Sequence, residues 1–286
     1  MSAIAYITDS KMLELHRLNS HKTINFWRLS INLNFSDFFI GDLVFFLSKD
    51  KEHMKGKEKG IVGFGRLKEI EINSIKKMWE RHGILNGYRT LDEFKEAIIK
   101  VSKEKKLPKK ISSFYLENVT FFQPVYLSEC GMLISNNIES YTYLKPESTI
   151  INLLDMAKEG KDLWSSLLDS NEAIEEEKLL YALFASHKKL GDVPSNEKTT
   201  KKAYRCLKNY VDNTKYSFIQ DSMNEAYIID GKNISILFYH DKDVDYRLLI
   251  GQAELYKKHI SELYKEEYNI VFYTNDDQQP LTTDRL

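Results

Sequence analysis

The chain has 286 residues, of which 42% are hydrophobic and 29% charged, so it is long enough for two globular domains of ordinary size. Its two cysteines, Cys130 and Cys206, exclude a disulfide framework and a cysteine-rich zinc site. No apolar run approaches the roughly 20 residues that span a bilayer, and the first residues lack the pattern of a secretion signal. We therefore expect a cytoplasmic protein without a membrane partner.

The net charge of −1 hides a difference between the two halves. Residues 1–150 carry 23 Lys+Arg and 18 Asp+Glu, or +5, whereas residues 151–286 carry 18 and 24, or −6. A basic half suits a polyanion, and an acidic half suits a metal or a protein contact. Random drift between the halves is the alternative.

Short strands and helices are predicted throughout the first half. Alternating or continuous apolar residues predict strands. Thr8-Asp9-Ser10 offers an N-cap before the first helical pattern, and Thr90 begins a capping box before the third. Residues 48–59 are highly charged and predict a solvated hairpin loop or a mobile flap. The predicted strands are 4–7, 24–31, 43–47, 60–71 and 117–127, the predicted helices are 11–15, 73–82 and 91–104, and residues 133–144 end the domain.

Three segments together, 26–30, 40–46 and 60–66, have an order that resembles the small β-barrels of the PUA-like superfamily, in particular its EVE and YTH-type members. The resemblance implies an α+β domain over residues 1–145 that holds one nucleobase between aromatic rings, which contributes roughly 1–3 kcal/mol per base. The implied base-binding residues are Phe26, Trp27, Ser30, Asn32, Phe64, Trp79 and Tyr88. The implied phosphate-binding residues are Lys49, Lys51, Lys55, Lys57 and Lys59. The alternatives are that Trp27 is a core residue and that the lysines belong to a solvated loop.

The second half begins with a predicted linker, residues 146–170, that contains a short helix. Residues 171–286 then predict two helices, a hairpin, a helix and a strand, with the hairpin turn at Asp230-Gly231-Lys232-Asn233. This order resembles the α/β fold of PD-(D/E)xK nucleases, a restriction-endonuclease-like domain. The implied catalytic residues are Glu225, Asp230, His240, Asp241, Lys242 and Gln252, with Asp230 and Asp241 as ligands of Mg²⁺ or Mn²⁺. His240 stands where that family has a glutamate, so either Asp241 and Asp243 replace it or the domain is inactive. An ordinary α/β domain with an exposed charged loop is the alternative.

Three functions follow from these patterns. The first is recognition of modified DNA joined to a metal-dependent endonuclease, as in modification-dependent restriction of phage. The second is a binding module whose C-terminal half only assembles partners, and the third is an RNA-directed protein. The sequence leaves open the base, the oligomeric state and a partner subunit.

Overall fold

The computed structural model describes residues 2–52, 58–132, 138, 140–159, 167–193, 197–240, 245–275 and 281. The chain divides into two compact units, an N-terminal unit of Ser2–Ile174 and a C-terminal unit that begins at Glu175. Across the described residues, no helix combines the length and the apolarity needed to cross a membrane. Each unit is built around its own sheet.

The N-terminal unit contains six strands and four α-helices among the described residues. Their order is β1 (Ala3–Thr8), α1 (Ser10–Leu18), β2 (Ile24–Arg28), β3 (Leu43–Glu52), β4 (Lys59–Asn73), α2 (Ile75–His82), a 3-10 turn (Gly83–Asn86), α3 (Leu91–Val101), β5 (Ile111–Val125), β6 (Tyr141–Leu144) and α4 (Glu147–Glu159). The side chain of Asp9 caps α1 and that of Thr90 caps α3, as predicted. The predicted linker helix is α4, which packs against β5 and β6 of this unit.

The strand order of the first sheet is β2-β5-β4-β3-β1-β6, with β1 and β3 parallel and the other pairs antiparallel. In a flat sheet, β2 and β1 would lie roughly 19 Å apart, since four strand spacings separate them. The ring of Phe26 in β2 nevertheless lies 5.1 Å from the ring of Tyr6 in β1. The sheet is therefore rolled around a shared aromatic core, the curvature that the barrel resemblance implied.

Glycine and register shifts in β4 allow this curvature. The β4–β5 ladder has three register shifts, one of them between Ile61 and Gly63. A Cβ atom on Gly63 would lie 2.6 Å from the main-chain oxygen of Thr120, so only glycine fits this close approach.

The division between the units falls inside α5 (Leu167–Leu190). The elements that follow are α6 (Glu197–Asp212), β7 (Ser217–Phe218), β8 (Glu225–Asp230), β9 (Asn233–Phe238), α7 (Tyr246–Leu263) and β10 (Asn269–Thr274). The sheet order is β10-β9-β8-β7, with β9 and β10 parallel and the other pairs antiparallel. The hairpin turn at residues 230–233 lies where the sequence predicted it, whereas β7 was not predicted.

The two faces of this sheet are covered by different helices. Ala226 and Leu237 pair across β8 and β9 and pack with Leu207 of α6. On the other face, the ring of Phe238 lies 6.1 Å from the ring of Tyr256 in α7. Because Glu225 pairs with Phe238, its side chain also lies on the face that α7 covers.

Candidate nucleic-acid interface and candidate metal centre

Trp27 belongs to an apolar cluster formed by β2, α2 and α3. Its ring is half-buried and lies 5.7 Å from the ring of Phe94 and 6.3 Å from that of Tyr88. Trp79 joins the same cluster, with its ring 6.0 Å from Phe94. The structure thus places three predicted base-binding rings in mutual packing around Phe94. None of the three lines the pocket that this unit forms between α1 and strands β3, β4 and β5.

Two other predicted pocket rings are sealed inside the rolled sheet. Phe26 is 2% exposed and stacks on Phe46, while Phe64 is fully buried against Phe45. Neither ring is open to a ligand, which corrects the role predicted for both. Their strands place them in the core because alternate residues of a rolled sheet point inward.

Ser30 and Asn32 take part in local hydrogen bonds after β2. The main-chain oxygen of Ser30 accepts a hydrogen bond from Ser112 Oγ at 2.6 Å, and its hydroxyl accepts one from the Asn32 amide at 3.3 Å. The main-chain oxygen of Asn32 accepts a hydrogen bond from Nη2 of Arg28 at 3.2 Å. The predicted base-binding residues therefore do not converge on one opening.

A pocket of about 250 Å³ instead opens beside the start of α1 and the adjoining parts of β3, β4 and β5. Its polar wall carries the cations Lys11, Arg17 and Lys51 and one carboxylate, Glu14, which lies 3.8 Å from Arg17. Its apolar wall includes the half-buried ring of Phe121. Three positive charges against one negative charge make this pocket suited to an anionic ligand with an apolar part.

The predicted phosphate-binding lysines stand in different positions relative to this pocket. Lys51 is exposed and lines it, as a phosphate ligand would. Lys59 lies at the start of β4, opposite Glu52 in the ladder. Lys55 and Lys57, together with the side chain of Lys49, lie outside the described residues.

Glu225 forms the centre of a buried polar cluster in the C-terminal unit. It is the first residue of β8 and is fully buried. Its Oε2 lies 3.1 Å from Nδ1 of His187 and accepts a hydrogen bond from the hydroxyl of Tyr256. That hydroxyl is also 2.6 Å from Nδ1 of His187. The other carboxylate oxygen, Oε1, has no hydrogen-bond partner among the described residues.

Burial controls the protonation of this cluster. Desolvation raises the pKa of Glu225, and the hydrogen bonds from His187 and Tyr256 oppose that rise. Desolvation also raises the pKa of Tyr256, and the neighbouring carboxyl of Glu225 raises it further. Burial therefore shifts both groups toward their neutral forms, and a bound cation would act in the opposite direction.

Asp192 completes a set of potential metal ligands. It accepts hydrogen bonds from the Ser222 hydroxyl and from the Met223 amide, the latter at 2.9 Å, which hold its carboxylate in place. Its Oδ1 lies 3.8 Å from Nε2 of His187. Ligand atoms of His187, Asp192 and Glu225 all lie within 4.8 Å of one another. One imidazole and two carboxylates fit a transition metal such as Mn²⁺ better than Mg²⁺, which prefers oxygen ligands.

Asp230, one of the two predicted metal ligands, does not join this cluster. It is exposed in the hairpin turn at the opposite end of β8 from Glu225, which corresponds to roughly 16 Å along the strand. The other predicted ligand, Asp241, and the predicted catalytic Lys242 lie outside the described residues.

Gln252 and His240 were both predicted as catalytic residues. Gln252 contacts the segment that carries Asp192, whereas His240 lies beyond the end of β9. Nε2 of Gln252 donates to the main-chain oxygen of Gly191 at 2.6 Å and so fixes the residue before Asp192. His240 is buried two residues beyond Phe238, the cross-strand partner of Glu225. Its ring packs against Tyr246, 5.5 Å away.

Sequence reasoning missed His187 and Asp192. His187 is 38 residues from Glu225 along the chain, so no local spacing connects the two. A signal for Tyr256 was present, because Gln252 and Tyr256 stand four residues apart on α7 and so share a face. The glycine after α5, Gly191 with φ of +71°, also marked a turn that presents Asp192.

No protein-family model matches the chain, and no curated protein matches it at a significant level. Three crystal structures of an ASCH protein from Zymomonas mobilis are similar to it. The protein itself is 12% identical, with 56% of this chain and 96% of that chain covered and a TM-score of 0.38. Two of its mutants are 14% and 12% identical, with 56% of this chain and 96% and 100% of theirs covered and the same TM-score of 0.38.

Proposed function

We propose that the protein binds nucleic acid and that the pocket beside α1 holds one nucleotide of the strand. The observation that carries this proposal is the composition of the pocket. A nucleotide joins an anionic phosphate to a flat base, and the pocket joins Lys11, Arg17 and Lys51 to the ring of Phe121. Its volume of about 250 Å³ lies just below the roughly 300–1,000 Å³ of pockets for drug-sized ligands, which suits a single nucleotide.

The proposed ligand is DNA that carries a modified base. The apolar part of the pocket, formed by Leu13, Val62 and Phe121, offers contact to a methyl group that an unmodified base lacks. Each buried methyl group contributes roughly 0.8 kcal/mol, enough for a measurable preference between modified and unmodified strands.

We also propose that the C-terminal unit is a nuclease-like domain with a metal centre at His187, Asp192 and Glu225. The order of two helices, three antiparallel strands, a helix and a parallel strand supports it, as does the position of Gln252 and Tyr256 beside Glu225. When bound, the metal would activate water and stabilise charge on phosphate. The residues of the chain prepare the site, since Ser222 orients Asp192 while Tyr256 holds a proton against Glu225.

A second candidate is nucleic-acid binding without cleavage. Within the described residues, the side chains in contact with the Glu225 carboxyl are His187 and Tyr256, so no lysine touches it. The carboxyl is also fully buried, which denies a phosphate direct access to it. A degenerate nuclease-like domain that assembles partners accounts for both observations.

Fluorescence anisotropy with labelled oligonucleotides tests the binding proposal. Single and double strands with unmodified, methylated or hydroxymethylated cytosine are compared over a range of salt concentrations. Lys51→Ala should weaken binding and reduce the slope of log affinity against log salt by about 1. Lys77→Ala removes an equally exposed charge from α2 and serves as the matched control. No binding to any strand, or equal losses in both variants, would overturn the proposal.

Incubation of the same oligonucleotides with Mn²⁺ or Mg²⁺ separates the two candidates. The metal-centre proposal expects cleavage that Mn²⁺ supports better than Mg²⁺ and that Glu225→Gln abolishes. Glu254→Gln, an exposed substitution on α7, should leave cleavage unchanged. Binding without cleavage under both metals would favour the second candidate.

A further inference from the structure

Arg28 is a buried cation at the end of β2 that the pocket beside α1 does not use. The residue is only 6% exposed. The carbon of its guanidinium lies 4.9 Å from the ring centre of Phe35, 5.1 Å from that of Phe114 and 5.8 Å from that of Tyr6. These rings attract the charge. The hydroxyl of Tyr6 also interacts with the guanidinium, which opposes the rise that burial causes in the pKa of Tyr6.

The guanidinium is short of acceptors. Nη2 donates to the main-chain oxygen of Asn32, whereas Nε and Nη1 are buried without a hydrogen-bond partner among the described residues. Nε carries one N–H group and Nη1 carries two, so three of about five guanidinium donors lack an acceptor. In the described part of the chain, no carboxylate forms an ion pair with Arg28. Because an arginine stays charged, such burial is costly unless an external acceptor completes it.

Aromatic rings surround the approach to this guanidinium. Tyr6, Phe35, Tyr141 and Tyr143 are each half-buried. The rings of Tyr6 and Tyr141 are nearly parallel, at 14° and 5.9 Å, and Phe35 lies 5.4 Å from Tyr141. Phe35 belongs to the irregular segment between β2 and β3. A ligand at Arg28 would therefore have aromatic rings as its neighbours.

We propose that the Arg28 site, formed by Arg28, Tyr6, Phe35 and Tyr141, binds a nucleobase with two adjacent acceptors on one edge, the chemistry of guanine. This proposal rests on the proposed nucleic-acid function and names the class of base. Guanine presents N7 and O6 as acceptors, whereas adenine presents one acceptor and one donor. Arginine has only donors, so adenine would place an amino group against an N–H. A phosphate would satisfy the donors but would gain nothing from the rings.

Calorimetric titration of the full chain with guanosine monophosphate, adenosine monophosphate and inorganic phosphate tests the choice of ligand. Guanosine monophosphate should bind roughly 5- to 150-fold more tightly than adenosine monophosphate, the range of a well-aligned arginine–guanine pair. Inorganic phosphate should bind more weakly than either nucleotide. Equal affinities for the two nucleotides, or phosphate as the tightest ligand, would overturn the proposal. This arm uses only the natural protein, so it holds even if variants fail to fold.

Arg28→Lys keeps the positive charge but loses the planar fork, and should abolish the preference for guanine. Arg89→Lys, at an exposed position before α3, is the matched control and should retain it. If oligonucleotide binding depends on Lys51 but the protein shows no preference for guanine, the Arg28 proposal is wrong. The proposed strand binding at the pocket beside α1 would still stand. If the protein prefers guanosine monophosphate but binds no oligonucleotide, the proposed strand binding is wrong. The Arg28 site would still stand as a site for the free nucleotide.

Discussion

Replacement of Glu225 by glutamine changes the pH dependence of stability in a direction that the buried cluster determines. The substitution keeps the shape of the side chain and removes its titration. In the folded protein, desolvation raises the pKa of Glu225 above its ordinary value of 4.5. The folded state therefore holds the proton over a pH range in which the unfolded chain has already lost it.

The sign of the effect follows from this difference in bound protons. Where the folded state binds more protons than the unfolded state, the free energy of unfolding falls as pH rises. The contribution of Glu225 is fully present below pH 4.5 and is lost as pH rises through the folded-state pKa. Within that window, the natural protein loses up to about 1.4 kcal/mol per pH unit relative to the glutamine variant. Above the window, the difference stays constant.

Hydrogen exchange of the amides in β8 and β9, corrected for intrinsic exchange rates, reports the stability of the C-terminal unit itself. The natural protein, Glu225→Gln and Glu254→Gln are compared without metal over a series of pH values. The difference between them should grow in favour of Glu225→Gln as pH rises, and Glu254→Gln should follow the natural protein. A constant difference at all pH values would refute the assignment of a raised pKa to Glu225.

Three further substitutions test the N-terminal unit by urea unfolding. Trp27→Ala should cost less than the about 3–5 kcal/mol of a fully buried aromatic residue, because its ring is half-buried against Phe94 and Tyr88. Burial beside His21 lowers the pKa of His16 to about 3, so the natural protein should lose stability as pH falls from 6.5 toward 3. His16→Gln should show a smaller loss, since burial also lowers the pKa of His21. Gly87→Ala should cost more than Gly131→Ala: both have positive φ, but only at Gly87 would a Cβ atom lie 2.2 Å from Cγ of Met12.

Strand positions were predictable where apolar residues alternated, as in β2, or followed one another directly, as in β8. The first part of β5 was missed because Ser112 and Ser113 read as loop residues, although both are fully buried. Tertiary hydrogen bonds offset the cost of burying these hydroxyls, since Ser112 Oγ donates to the Ser30 main-chain oxygen and Ser113 Oγ donates to Met78 Sδ. Such partners are distant in sequence, so no local pattern identifies them.

Some residues of the candidate sites could likewise be predicted from the sequence, and others depend on tertiary packing. Glu225, Gln252 and Lys51 were predicted from their order along the chain, and their roles stay predictions. In the structure, Glu225 lies in a buried polar cluster, Gln252 contacts Gly191 and Lys51 lines a pocket. The surroundings of Trp27 depend on the packing of α3, which places Phe94 5.7 Å from its ring. The predicted role of Trp27 as a pocket wall stays a prediction. His187 enters the cluster only through the packing of α5 against the sheet face, which a sequence pattern does not encode.

Photo-crosslinking of the full chain to an oligonucleotide that carries a photoreactive base, followed by mass spectrometry, shows where on the protein the strand binds. The account predicts crosslinks at the pocket beside α1, in peptides that contain Lys51 or Phe121, and their loss in excess unlabelled strand. Crosslinks confined to other surfaces, or none above the level of a noninteracting protein, would contradict it.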